Sequence, residues 1–380
     1  MSTSTSTSTS TGPAPTPDPA TTPPTPPTGH APAPHTPWTR VVVVGLAIAA
    51  VVTLVELAFS WPAVTAEPRD VPVAVVGPAD AVQELAETLE SQQPGVVDLV
   101  ETADRDDAVT AVEQRDVVGA LVLGPTPEVL TAPAAGSAPT QLMTGLASRL
   151  QARVTAQAVA ALQQQAAQGT DLPQDGPPTV TVTEVVPLSP DDPQGTGMTA
   201  ALFPLLLGGM AGGIAISLAV VGAGRRVLAV AVYAVVGGLV LTAVLQGWFG
   251  SLQGDWWTNA AAIALALAAV AAPLTGFVAL LGRAGIAVGA VLMMLVANPI
   301  SGATVPPEFL PWHWGALGQW FPPGASGTLL RDLSYFPAAD TAAAWIALGA
   351  WTTLGVMFSL VGHFRTAGGV EPDVEAALED

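Results

Sequence analysis

The side chains that most often do chemistry in proteins are few in this sequence. Its four histidines are His30 and His35 near the N-terminus, His313 among tryptophans and His363 near the C-terminus. Cysteine is absent, which excludes thiol catalysis, disulfides and thiolate metal sites. The histidines cannot come together around one metal ion, because His313 is predicted at the outer membrane surface and the other three at the inner side. We therefore expect a protein that is not an enzyme and that holds no cofactor or metal.

Sequence motifs of catalysis and nucleotide binding are also missing. All eleven basic residues are arginine, so a phosphate-binding loop, which needs the lysine of its G-K-[ST] ending, is excluded. Patterns of the G-x-S-x-G and H-E-x-x-H type are absent as well. Acidic clusters occur at Asp104, Asp106 and Asp107 and at Asp191 and Asp192. Charged turns and helix N-termini explain them, and the alternative, a calcium site, lacks EF-hand spacing.

The composition is that of a membrane protein. Of 380 residues, 50% are hydrophobic and 11% are charged, and the mean hydropathy is +0.50. Soluble domains average about 25% charged residues. We predict an α-helical polytopic membrane protein with six transmembrane helices and a small α/β extracellular domain inserted after the first. The predicted helices cover residues 41–59, 198–221, 227–248, 259–281, 284–300 and 341–361.

The first apolar run lies in a predicted membrane anchor at residues 40–61. A secretory signal peptide is the rival interpretation, since Val64-Thr65-Ala66 would suit cleavage. The length of the run and its distance from the N-terminus favour an uncleaved anchor. Glu56 lies near the outer end of this helix. A carboxylate in the membrane can be functional, but one turn from the interface it more readily reaches water or a partner.

Residues 62–197 are predicted to fold as the extracellular α/β domain. Short apolar runs predict strands, and apolar residues at helical spacing predict helices that alternate with them. The predicted strands are 71–76, 96–101, 119–123, 128–131 and 180–186, and the predicted helices are 79–91, 106–114 and 140–168. The domain has 19 acidic residues against 5 arginines, a net charge of −14. We therefore expect no binding to nucleic acid or to anionic headgroups.

The arginines indicate how the chain lies in the plasma membrane. With six crossings, the arginines outside the α/β domain and the last loop share one side: Arg40, Arg225, Arg226, Arg283 and Arg365. By the positive-inside rule that side is cytoplasmic, so both termini are cytoplasmic. Seven of the ten tryptophans then fall at the outer interface, where a half-buried indole is favoured.

A membrane domain is predicted at residues 198–362, and it contains an interfacial hook at residues 300–335. An unpaired backbone group in hydrocarbon costs roughly several kcal/mol, and proline lacks a backbone donor. The hook must therefore lie at the membrane surface or be sheltered by protein. Its breaker residues are candidate transport or packing positions, namely Asn298, Pro299, Gly302, Pro306 and Pro307.

Small residues punctuate the predicted spans, most densely at Gly208, Gly209, Gly212 and Gly213. Such residues let helix backbones approach closely where lipid provides no hydrophobic drive. Packing within the bundle is the favoured interpretation, and a dimer seam is the alternative. With Glu56, these glycines complete the set of candidate transport or packing positions.

The two ends of the chain have the composition of disordered tails. Residues 1–39 begin with a Ser-Thr repeat and continue in proline, threonine and alanine, so they cannot bury enough apolar surface to offset chain entropy. Residues 363–380 form a short acidic tail. Both tails are predicted to be cytoplasmic.

The order of one anchor, an acidic α/β domain and five further spans resembles the ABC-2 type permease superfamily, closest to its phage-infection-protein (YhgE/Pip-like) branch. The resemblance covers about residues 40–365. The motifs that carry it are VPVAVV at 71–76, GALVL at 119–123 ahead of EVL at 128–130, NPISG at 298–302, PPEFLP at 306–311 and FPPG at 321–324.

This resemblance implies a permease that works as a dimer with a separate cytoplasmic ATPase and exports drugs, lipids or polymers. The absence of lysine agrees with a motor on another chain. The charged amphipathic helix of the family has no counterpart in the Pro/Thr-rich residues 1–37.

Two hypotheses follow. The first is an exporter permease subunit for a hydrophobic or amphipathic substrate. The second is a non-transport membrane scaffold or surface receptor whose ectodomain binds a protein or a cell-wall component. An ion-driven pump is disfavoured, because the five C-terminal spans have no ionisable group at mid-depth.

Overall fold

The computed structural model describes residues 3–5, 7, 9, 12, 37–168, 178–303 and 306–367. The chain divides into two compact units, Met1–Val51 and Val52–Asp380. The predictions for His30 and His35, and for most of residues 1–39 and 363–380, lie outside the described residues.

A mixed five-stranded sheet forms the centre of the α/β domain. Its strands are β1 (Val71–Val76), β2 (Val97–Glu101), β3 (Gly119–Val122), β4 (Glu128–Thr131) and β5 (Thr181–Glu184), in the order β2-β1-β3-β4-β5. β3 and β4 pair antiparallel, and the other neighbouring strands pair parallel. Each strand lies where its apolar run predicted it.

Helices cover the two faces of this sheet, because successive side chains of a strand point to opposite faces. The helices are α2 (Ala79–Gln92), α3 (Arg105–Glu113) and α4 (Ser137–Ala167). On one face, Val73 and Val75 of β1 pack in a buried core with residues of α2 and α4. On the other face, Ala74 shares a core with residues of α3 and with Phe336, which comes from the C-terminal half of the chain.

Five helices in the described residues are long and apolar enough to cross a membrane. They lie in α1 (Trp38–Thr65), α5 (Thr196–Ala219), α6 (Ala223–Thr242) with its π-helical extension Ala243–Trp248, α7 (Trp256–Leu281) and α11 (Ala342–Ala367). The side chains of Val42, Leu46 and Leu54 in α1 are all exposed, which suits contact with lipid.

α7 is the centre of the membrane helices. It contacts α5, α6 and α11 and is the most buried of the long helices. Glycines make the close approach possible, because a Cβ at Gly355 of α11 would lie 2.2 Å from the carbonyl carbon of Ala272. The next residue in α7 is Pro273, which has no backbone N–H, so the close approach of α11 displaces no backbone hydrogen bond donated by this residue.

The structure differs from the prediction at residues 284–300. This segment forms α8 (Ala284–Ala290) and a π-helix (Val291–Ala297), and together they are shorter than a full membrane span. At ~1.5 Å per residue, the apolar helix reaches roughly 20 Å. Of the six predicted transmembrane helices, the described residues therefore contain five long ones and one short one. The helix stops early because Asn298-Pro299 begins a turn, in which the carbonyl of Asn298 accepts a hydrogen bond from Ser301 N–H.

The hook (residues 300–335) continues from this short helix. It contains a 3₁₀-helix (Pro307–Phe309), α9 (Trp314–Gly318) and α10 (Pro322–Tyr335). α10 begins with two prolines, which suit the first helical positions because those N–H groups have no partner in the helix. It packs on α5, α7, α11 and the π-helix that follows α8. The hook is thus sheltered by protein along α10.

Candidate functional site

A cleft of about 1020 Å³ lies between the α/β domain and the hook. One wall comes from the start of β1 and the loop between α3 and β3, and the other from the hook. None of its lining residues belongs to the five long apolar helices. Among those that line it are Arg69, Asp70, Arg115, Asp116, Pro306, Pro307, Glu308, Trp312, His313, Gln319, Thr328, Arg331, Asp332, Phe336 and Asp340.

An ion pair joins the two walls of the cleft. Arg115 ends the turn after α3 with a φ of +60°, and its guanidinium donates a hydrogen bond to the Asp332 carboxylate of α10. The same guanidinium lies 5.3 Å from the ring centroid of Phe336. The Asp332 side chain is only 5% exposed. Burial raises the pKa of Asp332, and the attraction of Arg115 only partly opposes that rise.

Arg331 lies next to this pair on α10. It lines the cleft and also a second cavity of about 730 Å³, whose walls include Thr140, Gln194 and Tyr335. Among the described residues, no carboxylate oxygen lies within 4 Å of its guanidinium. Burial, followed by repulsion from Arg115, lowers the pKa of Arg331 to about 10. The side chain therefore stays charged near neutral pH.

The rim of the cleft is acidic and aromatic. Carboxylates of Asp70, Asp116 and Glu308 line it, and the Trp312 side chain there is 79% exposed. Trp312 has a φ of +55°, a left-handed conformation that is uncommon for a residue with a side chain. Strained backbone of this kind is often found at binding sites. In the described residues no group of three or more His, Asp or Glu side chains is placed to hold a metal ion.

The predicted breaker residues have different places in the hook. Pro306 and Pro307 line the cleft directly. Gly302 has a φ of +76°, and a Cβ there would lie 2.9 Å from Pro307, so the turn requires glycine. Asn298 and Pro299 form the turn behind it, where Asn298 accepts a hydrogen bond of 2.7 Å from the Ser301 hydroxyl.

The predicted glycines lie away from the cleft, on the face of α5 that packs inside the chain. A Cβ at Gly209 would lie 2.8 Å from Val270, and one at Gly213 would lie 3.0 Å from the carbonyl oxygen of Ala271. A Cβ at Gly212 would meet the ring of Tyr233, whereas one at Gly208 would lie 3.6 Å from the Tyr233 hydroxyl. These contacts are within one chain.

Glu56 is also remote from the cleft. Its side chain is exposed on α1 and accepts a hydrogen bond of 2.7 Å from the Ser60 hydroxyl. The structure therefore does not bring Glu56, the glycines of α5 and the breaker residues of the hook into one site.

Sequence reasoning missed the charged group of Arg115, Asp332 and Arg331. Arg115 and Asp332 are 217 residues apart, and no local pattern links them. A signal was nevertheless present, because Arg331 and Asp332 are adjacent charges in a segment that is otherwise apolar or small. Two adjacent charged residues within such an apolar segment are candidates for a functional site.

Comparisons of this chain with protein-family models, with curated proteins and with solved structures found no match. What the chain does must therefore be argued from its own residues and geometry.

Proposed function

We propose that this chain is an ABC-2-like permease subunit that exports a hydrophobic or amphipathic substrate through the plasma membrane. It works as a homodimer with a separate cytoplasmic ATPase. The short helix at Ala284–Ala297 completes a sixth crossing together with the hook, so that both termini are cytoplasmic and the α/β domain is outside.

The broken unit formed by α8, its π-helix and the hook, which includes α10, carries this proposal. Irregular backbone at membrane depth is tolerated where it is buried in protein or lines a cavity. Transporters use such discontinuous helices at their substrate sites, and π-helical turns are frequent at functional sites. Here the broken unit packs on α7 and opens onto a cleft large enough for an amphiphile.

The hook also couples the α/β domain to the membrane helices. Phe336 is 1% exposed and lies in the core of the α/β domain, directly after α10. The backbone N–H of Glu67 donates a hydrogen bond of 3.1 Å to the carbonyl of Phe309, which ties the segment after α1 to the hook. A movement of α10 against α7 would therefore change the cleft, as an export cycle requires.

The proposal is tested by efflux of a fluorescent amphiphile from cells that carry the chain and its neighbouring genes. Gly209→Ala should lower efflux several-fold, because its Cβ would lie 2.8 Å from Val270 and push α5 away from α7. Gly208→Ala is the matched control, since its nearest contact is 3.6 Å, and it should leave efflux unchanged. Membrane levels of both variants are measured in parallel.

Cross-linking and pull-down of the full chain from native membranes should recover a nucleotide-binding subunit. Repeated recovery of the chain without any ATPase, together with unchanged efflux in cells from which the chain is deleted, contradicts the permease proposal.

The receptor or scaffold function is the second candidate, and one observation favours it. The cleft is lined by the α/β domain and the hook, without the long membrane helices. If this function is right, deletion of residues 66–190 abolishes binding of a protein or wall component to cells and leaves efflux unchanged.

A further inference from the structure

Arg331 of α10 has no close ion-pair partner within the described part of the chain. Asp332 is the one carboxylate that forms an ion pair with Arg115 there, and Arg331 has no carboxylate within 4 Å. The Asp332 carboxylate is engaged by Arg115, so the guanidinium of Arg331 lines the cleft without a salt bridge of its own. Glu308 and Asp332 attract Arg331 only from a longer distance.

Arg331 is also placed where a ligand can reach it. Arg331 lines both the cleft and the second cavity. Both cavities are larger than a single headgroup, with volumes of about 1020 and 730 Å³. A guanidinium presents five N–H donors in a planar fork that fits the oxygen pair of a carboxylate or a phosphate.

We propose that Arg331 binds the anionic group, a carboxylate or a phosphate, of an amphiphilic ligand in the cleft. The ligand carries a single negative charge, because Asp70, Asp116 and Glu308 line the same cleft and repel a polyanion. Its apolar part lies against the exposed ring of Trp312 at the rim. That this ligand is the exported substrate rests on the proposed function.

Calorimetric titration of the purified full chain in a neutral detergent tests binding without any ATPase. The probes are laurate and dihexanoyl-phosphatidylglycerol as amphiphiles, and acetate and inorganic phosphate as free anions. Arg331→Gln should weaken binding of the amphiphiles at least tenfold, and Arg331→Lys should weaken it less. Arg149→Gln is the matched control, because Arg149 is exposed on α4 and does not line the cleft, and it should bind as the unchanged protein does.

Ala316→Trp provides a second variant that keeps every charge. Ala316 lines the cleft, so an indole there should occupy the space and weaken binding even if Arg331→Gln does not fold. Equal affinity in Ala316→Trp or in folded Arg331→Gln overturns the proposal, and so does the absence of saturable binding for all four probes. If the free anions bind as tightly as the amphiphiles, the amphiphile requirement is wrong. A failure of export in cells does not affect these measurements, so the two proposals fail separately.

Discussion

Asp332 is a buried carboxylate whose pKa is raised. Desolvation by burial is the main cause, and the attraction of Arg115 opposes it only in part. The pKa of the neighbouring Arg331 is lowered, because burial disfavours the charged form of a cation. A charged group in a cleft whose pKa is shifted by burial and by a specific charged neighbour is a candidate for a functional site. At this scale the observation supports a role in binding for the α10 charges.

Glu128 on β4 is in the opposite situation. Arg105 donates hydrogen bonds of 2.7 and 2.9 Å to its two oxygens, and the Thr183 hydroxyl donates a third of 2.6 Å. The hydrogen bond from Arg105 is the main cause that holds the pKa of Glu128 below its usual value. The folded state therefore gains stability above the ordinary carboxyl pKa of about 4.3, and that gain is lost as the pH falls through the lowered pKa.

Glu128→Gln should lower the free energy of unfolding of the α/β domain by about 1 kcal/mol near neutral pH, a value reduced because Arg105 is 45% exposed. The difference from the unchanged protein should shrink as the pH falls below about 4. Hydrogen exchange of the β4 and β5 amides in the full chain measures this loss of stability and its dependence on pH.

Glu84→Gln is the control for Glu128→Gln, because Glu84 pairs with Arg153 at a site where its own side chain is 64% exposed. The prediction is wrong if Glu84→Gln loses as much protection from exchange as Glu128→Gln, or if the loss in Glu128→Gln does not change with pH. Either result would mean that the Arg105–Glu128 pair stabilises the domain no more than an exposed ion pair does.

At the scale of elements, the contact between α7 and α11 depends on glycine. Gly355→Ala should destabilise the membrane domain by about 1–3 kcal/mol, because its Cβ would lie 2.2 Å from Ala272 and Pro273 backbone atoms that cannot move aside. Gly349→Ala lies on the same helix and meets nothing within 4 Å, so it should be neutral or stabilising by up to about 1 kcal/mol. Thermal unfolding in detergent compares the two. Equal melting temperatures would refute the packing shown by α7 and α11.

At the scale of the whole molecule, the short helix Ala284–Ala297 decides the topology. It begins beside the end of α7, where a Cβ at Gly285 would lie 2.3 Å from Phe277. Met293 then packs among Leu206 and Val270 in the middle of their helices. The chain continues into the hook, which reaches the segment after α1 through Phe309. This path runs along α7 toward its opposite end, which supports a sixth crossing.

Single cysteines test that topology cleanly, because the chain has none of its own. With a membrane-impermeant maleimide on intact cells, Asp98→Cys and His313→Cys should be labelled. Arg225→Cys and Arg283→Cys should be labelled only after the membrane is opened. All four positions are exposed, so accessibility within the fold does not limit labelling. Labelling of Arg283→Cys and His313→Cys from the same side would mean that the short helix does not cross.

Local patterns along the chain were enough to predict the order of the elements and a membrane protein. Apolar runs such as Val71–Val76 and helical spacings such as Val82, Leu85 and Leu89 involve only residues close together along the chain, so they can be recognised locally. The same kind of local pattern overestimated the length of the membrane helix predicted at residues 284–300, because apolar composition does not show where a helix breaks.

The candidate site, in contrast, depends on contacts between residues that are far apart in the chain. Arg115 and Asp332 meet across 217 residues of chain. The cleft exists because the hook lies against the α/β domain, and Phe336, directly after the hook, lies in the core of that domain. Such contacts depend on how whole elements pack, since a side chain's partner in space leaves no trace in its neighbours in sequence. The sequence contained both charges of the pair, but only the packing of α10 against the α/β domain brought them together.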